Sequence, residues 1–277
     1  MMKTLIIGGS GQLGSELLKI VPGSLGTFRD NNSKGAKLNL LDTPSIRKII
    51  VDQKAKTIIN TAALTNVDLC EKDAKSAYAI NALAVREITL AAADLGAYLI
   101  HVSTDYVFDG ITGNYDEASV PKPINYYGLS KLLGDSHATT YDNSLVVRTS
   151  GVFGLKGNFP KFALDSLRAG KRINVVNSFY SPIHARMLAR QIKAVMETHL
   201  TGMLNIAGER ISRLELANRI CDIFDLDKTL INEVPESSLN WLAKRPLDSS
   251  LNIGRSVGIF GRGYTSTDAN IRMMAEE

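Results

Sequence analysis

Thr4-Leu5-Ile6-Ile7-Gly8-Gly9-Ser10-Gly11-Gln12-Leu13-Gly14 joins a short apolar run to a turn made largely of glycine. The uninterrupted Thr-Leu-Ile-Ile reads as a buried strand, and the chain from about Ser15 to Ile20 reads as a helix. Gly8, Gly11 and Gly14 form G-x-x-G-x-x-G between the two. Glycine lets the turn take φ above zero and lets backbone amides come close to a ligand. The helix amino terminus adds a partial positive charge, which suits a pyrophosphate. A glycine-rich turn with no ligand is the plainer reading. The strand before and the helix after supply the context that favours dinucleotide binding.

Working outward, strands and helices alternate. Strands are expected near Leu25 to Arg29 (followed by a polar loop), at Leu38-Asn39-Leu40, at Thr57-Ile58-Ile59-Asn60, from Tyr98 to Ser103, and from Ser144 to Arg148. Thr43-Pro44 opens a helix, with Thr as N-cap and Pro in the first helical position. A long helical region runs from about Asp68 to Leu95, with Gly96 where a C-cap belongs. This alternation predicts an α/β fold, a Rossmann-type doubly wound parallel sheet covered on both faces. Such sheets bind ligands beyond the carboxyl ends of their strands, and the polar segments after Ile7, Ile59, Ser103 and Arg148 all fall at such ends.

Residues 1–150 are therefore assigned to a dinucleotide-binding domain, with 183–207 returning to it through an amphipathic helix (Ile183 to Thr198) and one more strand (Met203 to Ile206). Residues 151–182 and 208–277 make a smaller substrate-binding lobe. Its helices run from Phe159 to Ala169 and from the capping box Ser212-Arg213-Leu214-Glu215 to about Phe224.

Bulk properties set limits. The chain has 277 residues, 44% hydrophobic and 22% charged, with a formal charge of +4. That charge is mild, enough to help attract an anionic substrate and too small to argue for nucleic acid. Its two cysteines, Cys70 and Cys221, read as apolar core residues. No run reaches membrane-spanning length, the amino-terminal apolar run is too short for a signal peptide, and a cytoplasmic location is expected. His101, His137, His184 and His199 make no metal-ligand spacing, and neither a G-x-S-x-G elbow nor a G-x-x-x-x-G-K-[ST] phosphate loop is present.

Tyr127-Gly128-Leu129-Ser130-Lys131 sets a phenol and an amine four residues apart, on one helix face. A cation there favours the phenolate and lowers a tyrosine pKa, which suits proton transfer at an alcohol or sugar oxygen. Ser103-Thr104-Asp105-Tyr106-Val107-Phe108 ends the preceding strand. Its hydroxyls are placed to hydrogen-bond the oxygen that Tyr127 serves, and Asp105 is suited either to orienting substrate hydroxyls or to capping a turn. Arg29, after the second strand, suits a ribose 2′-phosphate; the alternative is a solvated Arg29 with Asp30 on the ribose. Asn39, beside Leu40, is suited either to reading an adenine edge or to closing a turn. Thr61, Ala62 and Ala63 supply small side chains against which a cofactor can lie; ordinary tight helix–strand packing is the alternative.

With the glycine loop, Thr104, Tyr127 and Lys131 in this order, the chain resembles an extended short-chain dehydrogenase/reductase. Gly11-Gln12-Leu13-Gly14, Asn60-Thr61-Ala62-Ala63, the Ser103–Phe108 string, Asn125-Tyr126-Tyr127-Gly128, Arg148-Thr149-Ser150 and Arg245-Pro246 narrow this to a resemblance to the dTDP-4-dehydrorhamnose reductases.

The resemblance implies hydride delivery from NADPH (or NADH) to C4 of a 4-keto-6-deoxy sugar carried on dTDP. Tyr127 would protonate the oxyanion, Lys131 would bind the nicotinamide ribose and depress the tyrosine pKa, and Thr104 would hydrogen-bond the same oxygen. It places Gly8, Gly11, Gln12, Leu13, Gly14, Arg29, Asn39, Leu40, Thr61, Ala62, Ala63, Tyr127 and Lys131 around the cofactor, and Thr104, Asp105, Tyr106 and Arg245 around the substrate. No resident metal is expected, although Glu16 is placed to reach a metal-bridged homodimer interface as in some relatives; a solvated Glu16 is the plainer reading. Gly151 stands where the family commonly carries a sugar-packing Trp, and Phe179 or Tyr180 is positioned to supply the aromatic surface. Two other functions fit the same residues. One is a nucleotide-sugar epimerase or dehydratase that holds NAD tightly. The other is a non-catalytic regulatory subunit of the methionine adenosyltransferase type.

Overall fold

The computed structural model describes residues 3–30, 35–154 and 156–276; the polar loop expected after the second strand falls partly at 31–34, outside them. Seven short strands lie side by side. They are β1 (Thr4–Ile7), β2 (Leu25–Phe28), β3 (Gly35–Lys37), β4 (Thr57–Asn60), β5 (Tyr98–Val102), β6 (Ser144–Arg148) and the strand Gly202–Asn205. Their spatial order is Gly202–Asn205, β6, β5, β4, β1, β2, β3, and every pairing is parallel.

Burial on both faces explains why β1 and β4 are apolar at successive positions rather than at alternate ones. Ile6, Ile59, Ile100 and Val147 face α1 (Gln12–Ile20) and the helix Ala185–Thr198, meeting Leu13, Leu17, Leu188 and Ile192. Their neighbours Leu5, Ile7, Ile58, Leu99 and Val146 face the other way. They meet Ile46 and Ile50 of α2 (Thr43–Gln53) and Val85 and Ile88 further along the chain. The chain steps outward from β1 to β2 and β3, then returns to the other side of β1 with β4. The loops after β1 and β4 therefore part at one edge, the crevice where open α/β sheets hold ligands.

The later segments build three two-stranded sheets. Ser150–Phe153 pairs in parallel with Pro182–His184, Phe179–Tyr180 antiparallel with Ile211–Ser212, and Ile173–Val175 in parallel with Ile231–Glu233. A separate apolar core, including Leu164, Leu167, Ile173, Leu216 and Ile220, lies among them and the helices Phe159–Arg168 and Arg213–Phe224.

Several local expectations hold. Gly96 ends its helix at φ 61°, the Ser212 hydroxyl accepts from the Glu215 amide, and both cysteines are buried free thiols. Others shift. The third strand is Gly35–Lys37 instead of 38–40. Leu38 still donates to the Phe28 carbonyl at 2.7 Å, but Asn39 then turns the chain, its Oδ1 accepting from Leu41 N. The cap of α2 is Asp42, one residue earlier than Thr43.

The helical region from Asp68 to Leu95 is not continuous. It consists of α3 (Val67–Lys72), α4 (Ala74–Tyr78), a π-helical turn (Ala79–Leu83) and α5 (Ala84–Leu95). Asp73 breaks it: its side chain caps the next helix by accepting from Ser76 N at 3.0 Å, an alternative to continued helix that Asp readily takes.

Candidate active site

The carboxyl ends of β1 to β6, with Tyr180 and Arg213 from the later segments, line one cavity of about 800 Å³. At one end lies the glycine turn. Gly8 has φ +91°, and a Cβ there would sit 2.9 Å from Ala62 N and Cβ. Only glycine permits that backbone approach. Gly14 serves a different end from the one expected. It is absent from the cavity wall, and a Cβ on it would lie 2.2 Å from the Gly8 carbonyl oxygen, so it lets α1 pack onto the turn.

Gly8, Gly11, Gln12, Leu13, Arg29, Asn39, Leu40, Thr61, Ala62 and Ala63 all line the cavity. Some of these side chains are already committed to protein, Asn39 to Leu41 N among them. The Thr61 hydroxyl donates to the Ile7 carbonyl at 2.8 Å. The Gln12 amide donates to Val152 O at 3.0 Å and accepts from Lys156 N at 2.7 Å, clasping the glycine turn to the segment after β6. Arg29 and Asp30 pair loosely at 3.8 Å, both largely exposed.

At the other end stands α6 (Tyr126–Ala138), which carries Tyr127 and Lys131 on one face. Asn125 starts it, accepting from Gly128 N at 2.8 Å. Gly128 and Gly134 let the helix dock closely, since Cβ atoms there would meet the Tyr106 and Asn81 carbonyl oxygens at 2.0 and 2.2 Å. Tyr127 faces Tyr106 edge-on at 5.7 Å.

Burial pushes the Tyr127 phenol up, against a smaller downward pull from Thr104. That overturns the expectation that Lys131 lowers it in the bare protein. The Lys131 amine turns inward, donating to Val102 O at 2.8 Å and lying 3.4 Å from His101 Nε2. Burial lowers its pKa to about 8, with the Asp135 carboxylate resisting.

His101 is held neutral by burial and by Lys131. Its Nδ1 meets the amide nitrogen of Asn60 at 3.1 Å, while Asn60 Oδ1 accepts from Ala62 N. The histidine therefore accepts at Nδ1 and carries its proton on Nε2, which is 3.7 Å from Asp135 Oδ1. Asp135 in turn lies 3.6 Å from Arg148.

Asp105 lines the cavity, but its carboxylate is committed to protein hydroxyls. It is 3% exposed. Its Oδ2 accepts from Ser150 Oγ at 2.7 Å and Ser249 Oγ at 2.5 Å, and its Oδ1 from Thr104 Oγ1 at 3.1 Å. Burial raises its pKa while the three hydroxyls hold it down. It is a tie between three chain segments, and it orients Thr104.

Arg245 is displaced from its expected place as well. It is absent from the cavity wall and is tied to Asp68 at 3.0 Å and to the Ala243 carbonyl. Glu16, read as a solvated or metal-facing carboxylate, is buried and paired with Lys19 at 2.5 Å and Arg186 at 3.7 Å.

The RmlD substrate binding domain model matches residues 2–277. This chain belongs to that family. A solved structure described as a hypothetical dTDP-4-dehydrorhamnose reductase from Sulfolobus tokodaii is 45% identical, with a TM-score of 0.91 over 96% of this chain and 97% of that one. The dTDP-4-dehydrorhamnose reductase from Bacillus anthracis str. Ames, solved in complex with NADP, is 27% identical with a TM-score of 0.91 over 100% and 99%. Methionine adenosyltransferase 2 subunit beta from Bos taurus is 28% identical over 273 residues, 91% of this chain and 81% of that protein.

Within this RmlD-family cavity, sequence reading missed two residues and left a third open between two options. Arg213 and Lys156 line it. Tyr180, noted only as one of two aromatic options, does so as well, whereas Phe179 does not. Lys156 donates its ammonium to Ser10 O, on the glycine turn. Arg213 is the first residue of its helix, where the helix dipole opposes a cation. A cation in that position was the available signal. Its compensation is a 2.6 Å bond to Ser178 Oγ and the face of Tyr180 at 4.3 Å.

Proposed function

We propose that this chain is an NADPH-dependent reductase of the C4 keto group of a nucleotide-linked 4-keto-6-deoxy sugar, namely dTDP-4-dehydro-L-rhamnose, giving dTDP-L-rhamnose. The observation that carries this is the single cavity that joins the glycine turn to Thr104, Tyr127 and Lys131.

The walls suit a dinucleotide. Bare backbone at Gly8 and Gly11 and the small Ala62 and Ala63 face the space, with Arg29 and Lys156 as cations near its mouth. When bound, NADPH supplies the hydride. Tyr127 then holds the proton that the developing C4 oxyanion takes. Its raised pKa in the bare protein keeps that proton in place until reaction. General acid catalysis of this kind is worth about 10² to 10⁴ in rate. Thr104, held by Asp105 and by the Tyr106 amide at 3.2 Å, positions the oxygen beside Tyr127. Lys131, which lines the cavity and donates to Val102 O in the bare protein, would hold the nicotinamide ribose and place its charge near Tyr127.

Among the described residues no helix is long and apolar enough to cross a membrane, and we assign the protein to the cytoplasm. Homodimerisation is part of the same reading, with no resident metal.

The test is turnover of dTDP-4-dehydro-L-rhamnose with NADPH, following NADPH loss and dTDP-L-rhamnose formation. Wild type turns over, and Tyr127→Phe loses about 10²-fold or more in kcat with its NADPH affinity kept. No turnover by wild type, or a full rate in Tyr127→Phe, removes the assignment. Likeness to the methionine adenosyltransferase subunit keeps a binding-only reading in view. Co-purification with a synthetase and no reductase activity would decide for that one.

A further inference from the structure

Gly151 and Tyr180 meet at the reactant end of the cavity. Gly151 has φ +48°, and a Cβ on it would lie 2.5 Å from Tyr180 Cε2 and 2.7 Å from Cδ2. The tyrosine ring therefore occupies the volume in which any side chain at 151 would begin. Ser150–Phe153 and Pro182–His184 run in parallel beside each other. Tyr180 itself is fixed by the antiparallel pairing of Phe179–Tyr180 with Ile211–Ser212.

The ring is held from one face by the Arg213 guanidinium at 4.3 Å, and that guanidinium is anchored on Ser178 Oγ at 2.6 Å. Tyr180 is 3% exposed, yet its hydroxyl has no hydrogen-bond partner among the described residues. A buried hydroxyl left unpaired is destabilising, so native proteins rarely keep one without a use. The groups that act on it electrostatically are Arg213, Tyr106 and Asp105. All three line the same cavity, together with Thr104 and Tyr127. Phe179, the neighbouring aromatic, stacks under Arg210 at 3.9 Å instead.

We propose that Tyr180 is a substrate-recognition residue. Its ring, seated against Gly151, forms a wall of the hexose site, and its hydroxyl donates a hydrogen bond to an oxygen of the hexose. This rests on the reading of the cavity as a nucleotide-sugar site. It goes beyond that reading by assigning to one phenol the distinction between a nucleotide carrying a hexose and the nucleotide alone. Arg213 is a positioning residue for it.

Calorimetric titration of the NADP-loaded protein with dTDP and with dTDP-L-rhamnose tests this separately from turnover. Wild type binds dTDP-L-rhamnose more tightly than dTDP. Tyr180→Phe, which removes one oxygen and keeps the ring, weakens dTDP-L-rhamnose about 3- to 10-fold, as one hydrogen bond requires, and leaves dTDP unchanged. Gly151→Ala, which displaces the ring by steric contact, gives the same selective loss with the hydroxyl still present.

Equal weakening of both ligands in Tyr180→Phe, or no change in either, overturns the proposal. If wild type binds the two ligands alike, the hexose site is refuted outright. If wild type shows the selective binding and Tyr180→Phe loses it while no turnover occurs, Tyr180 keeps its role and only the reaction assignment falls.

Discussion

The nucleotide end of the cavity is made of backbone, the reactant end of side chains. At the nucleotide end Gly8 touches Ala62 and Gly14 touches the Gly8 carbonyl, and no titratable group is buried in those contacts. At the reactant end Asp105, Lys131, Asp135, His101 and Arg148 are all buried. Backbone packing fixes a shape whatever the pH. A cluster of buried charges fixes a set of pKa values, and it does so at a cost in stability. In the proposed reading the first region recognises and the second reacts, and the two respond to different perturbations.

The largest separation lies in pH. Lys131 falls from 10.5 to about 8 by burial, which corresponds to about 3 kcal/mol at roughly 1.4 kcal/mol per tenfold change. The sign follows from linkage. Between pH 8 and 10.5 the unfolded lysine holds a proton that the folded one has released, so the Lys131 contribution to stability rises with pH across that window. Below pH 8 both states are protonated and the penalty is constant. Lys131→Met removes the term. In urea unfolding at pH 7, 9 and 10.5, wild type minus variant stability should climb by up to about 3 kcal/mol, from a deficit at pH 7 towards zero at 10.5. A flat difference would show that the folded lysine keeps an ordinary pKa.

Gly14→Ala attacks the other region. Its Cβ would lie 2.2 Å from the Gly8 carbonyl oxygen. Overpacking costs about 1 to 3 kcal/mol, here at every pH, since no titratable group takes part. Urea unfolding of Gly14→Ala at the same three pH values should give a parallel offset, with NADPH affinity falling as the glycine turn shifts. A pH-dependent offset would break the distinction between the regions.

This division also explains what could be read in the sequence. The glycine turn, Ala62 and the strand before it lie in patterns a few residues long, so the sheet, the switch point and the cofactor wall were legible. Tyr127 and Lys131 were legible for the same reason, being one helical turn apart. Their pKa values were not, because burial among β5, β6 and α6 decides them. The ties of Asp105 were not legible, because its partners Ser150 and Ser249 stand 45 and 144 positions away. Tyr180 and Arg213 meet only through the pairing of Phe179–Tyr180 with Ile211–Ser212, which no local pattern announces. Arg245 sat in a motif but spends its charge on Asp68.

Arg29 tests the nucleotide end most gently. It lines the cavity mouth and is largely exposed, with only a 3.8 Å contact to Asp30. A charge in that position interacts through solvent, where one ion pair contributes about 0 to 1 kcal/mol. Arg29→Ser should therefore raise the KM for NADPH only a few-fold and leave that for NADH unchanged, because NADH lacks the 2′-phosphate an arginine would meet. The wild-type preference should also shrink as salt rises from 0.05 to about 0.5 M, since screening acts on exposed charges. If Asp30→Ala instead weakens NADH selectively and Arg29→Ser changes neither cofactor, the ribose is read by the carboxylate, and the backbone-built end recognises its ligand without help from the cation.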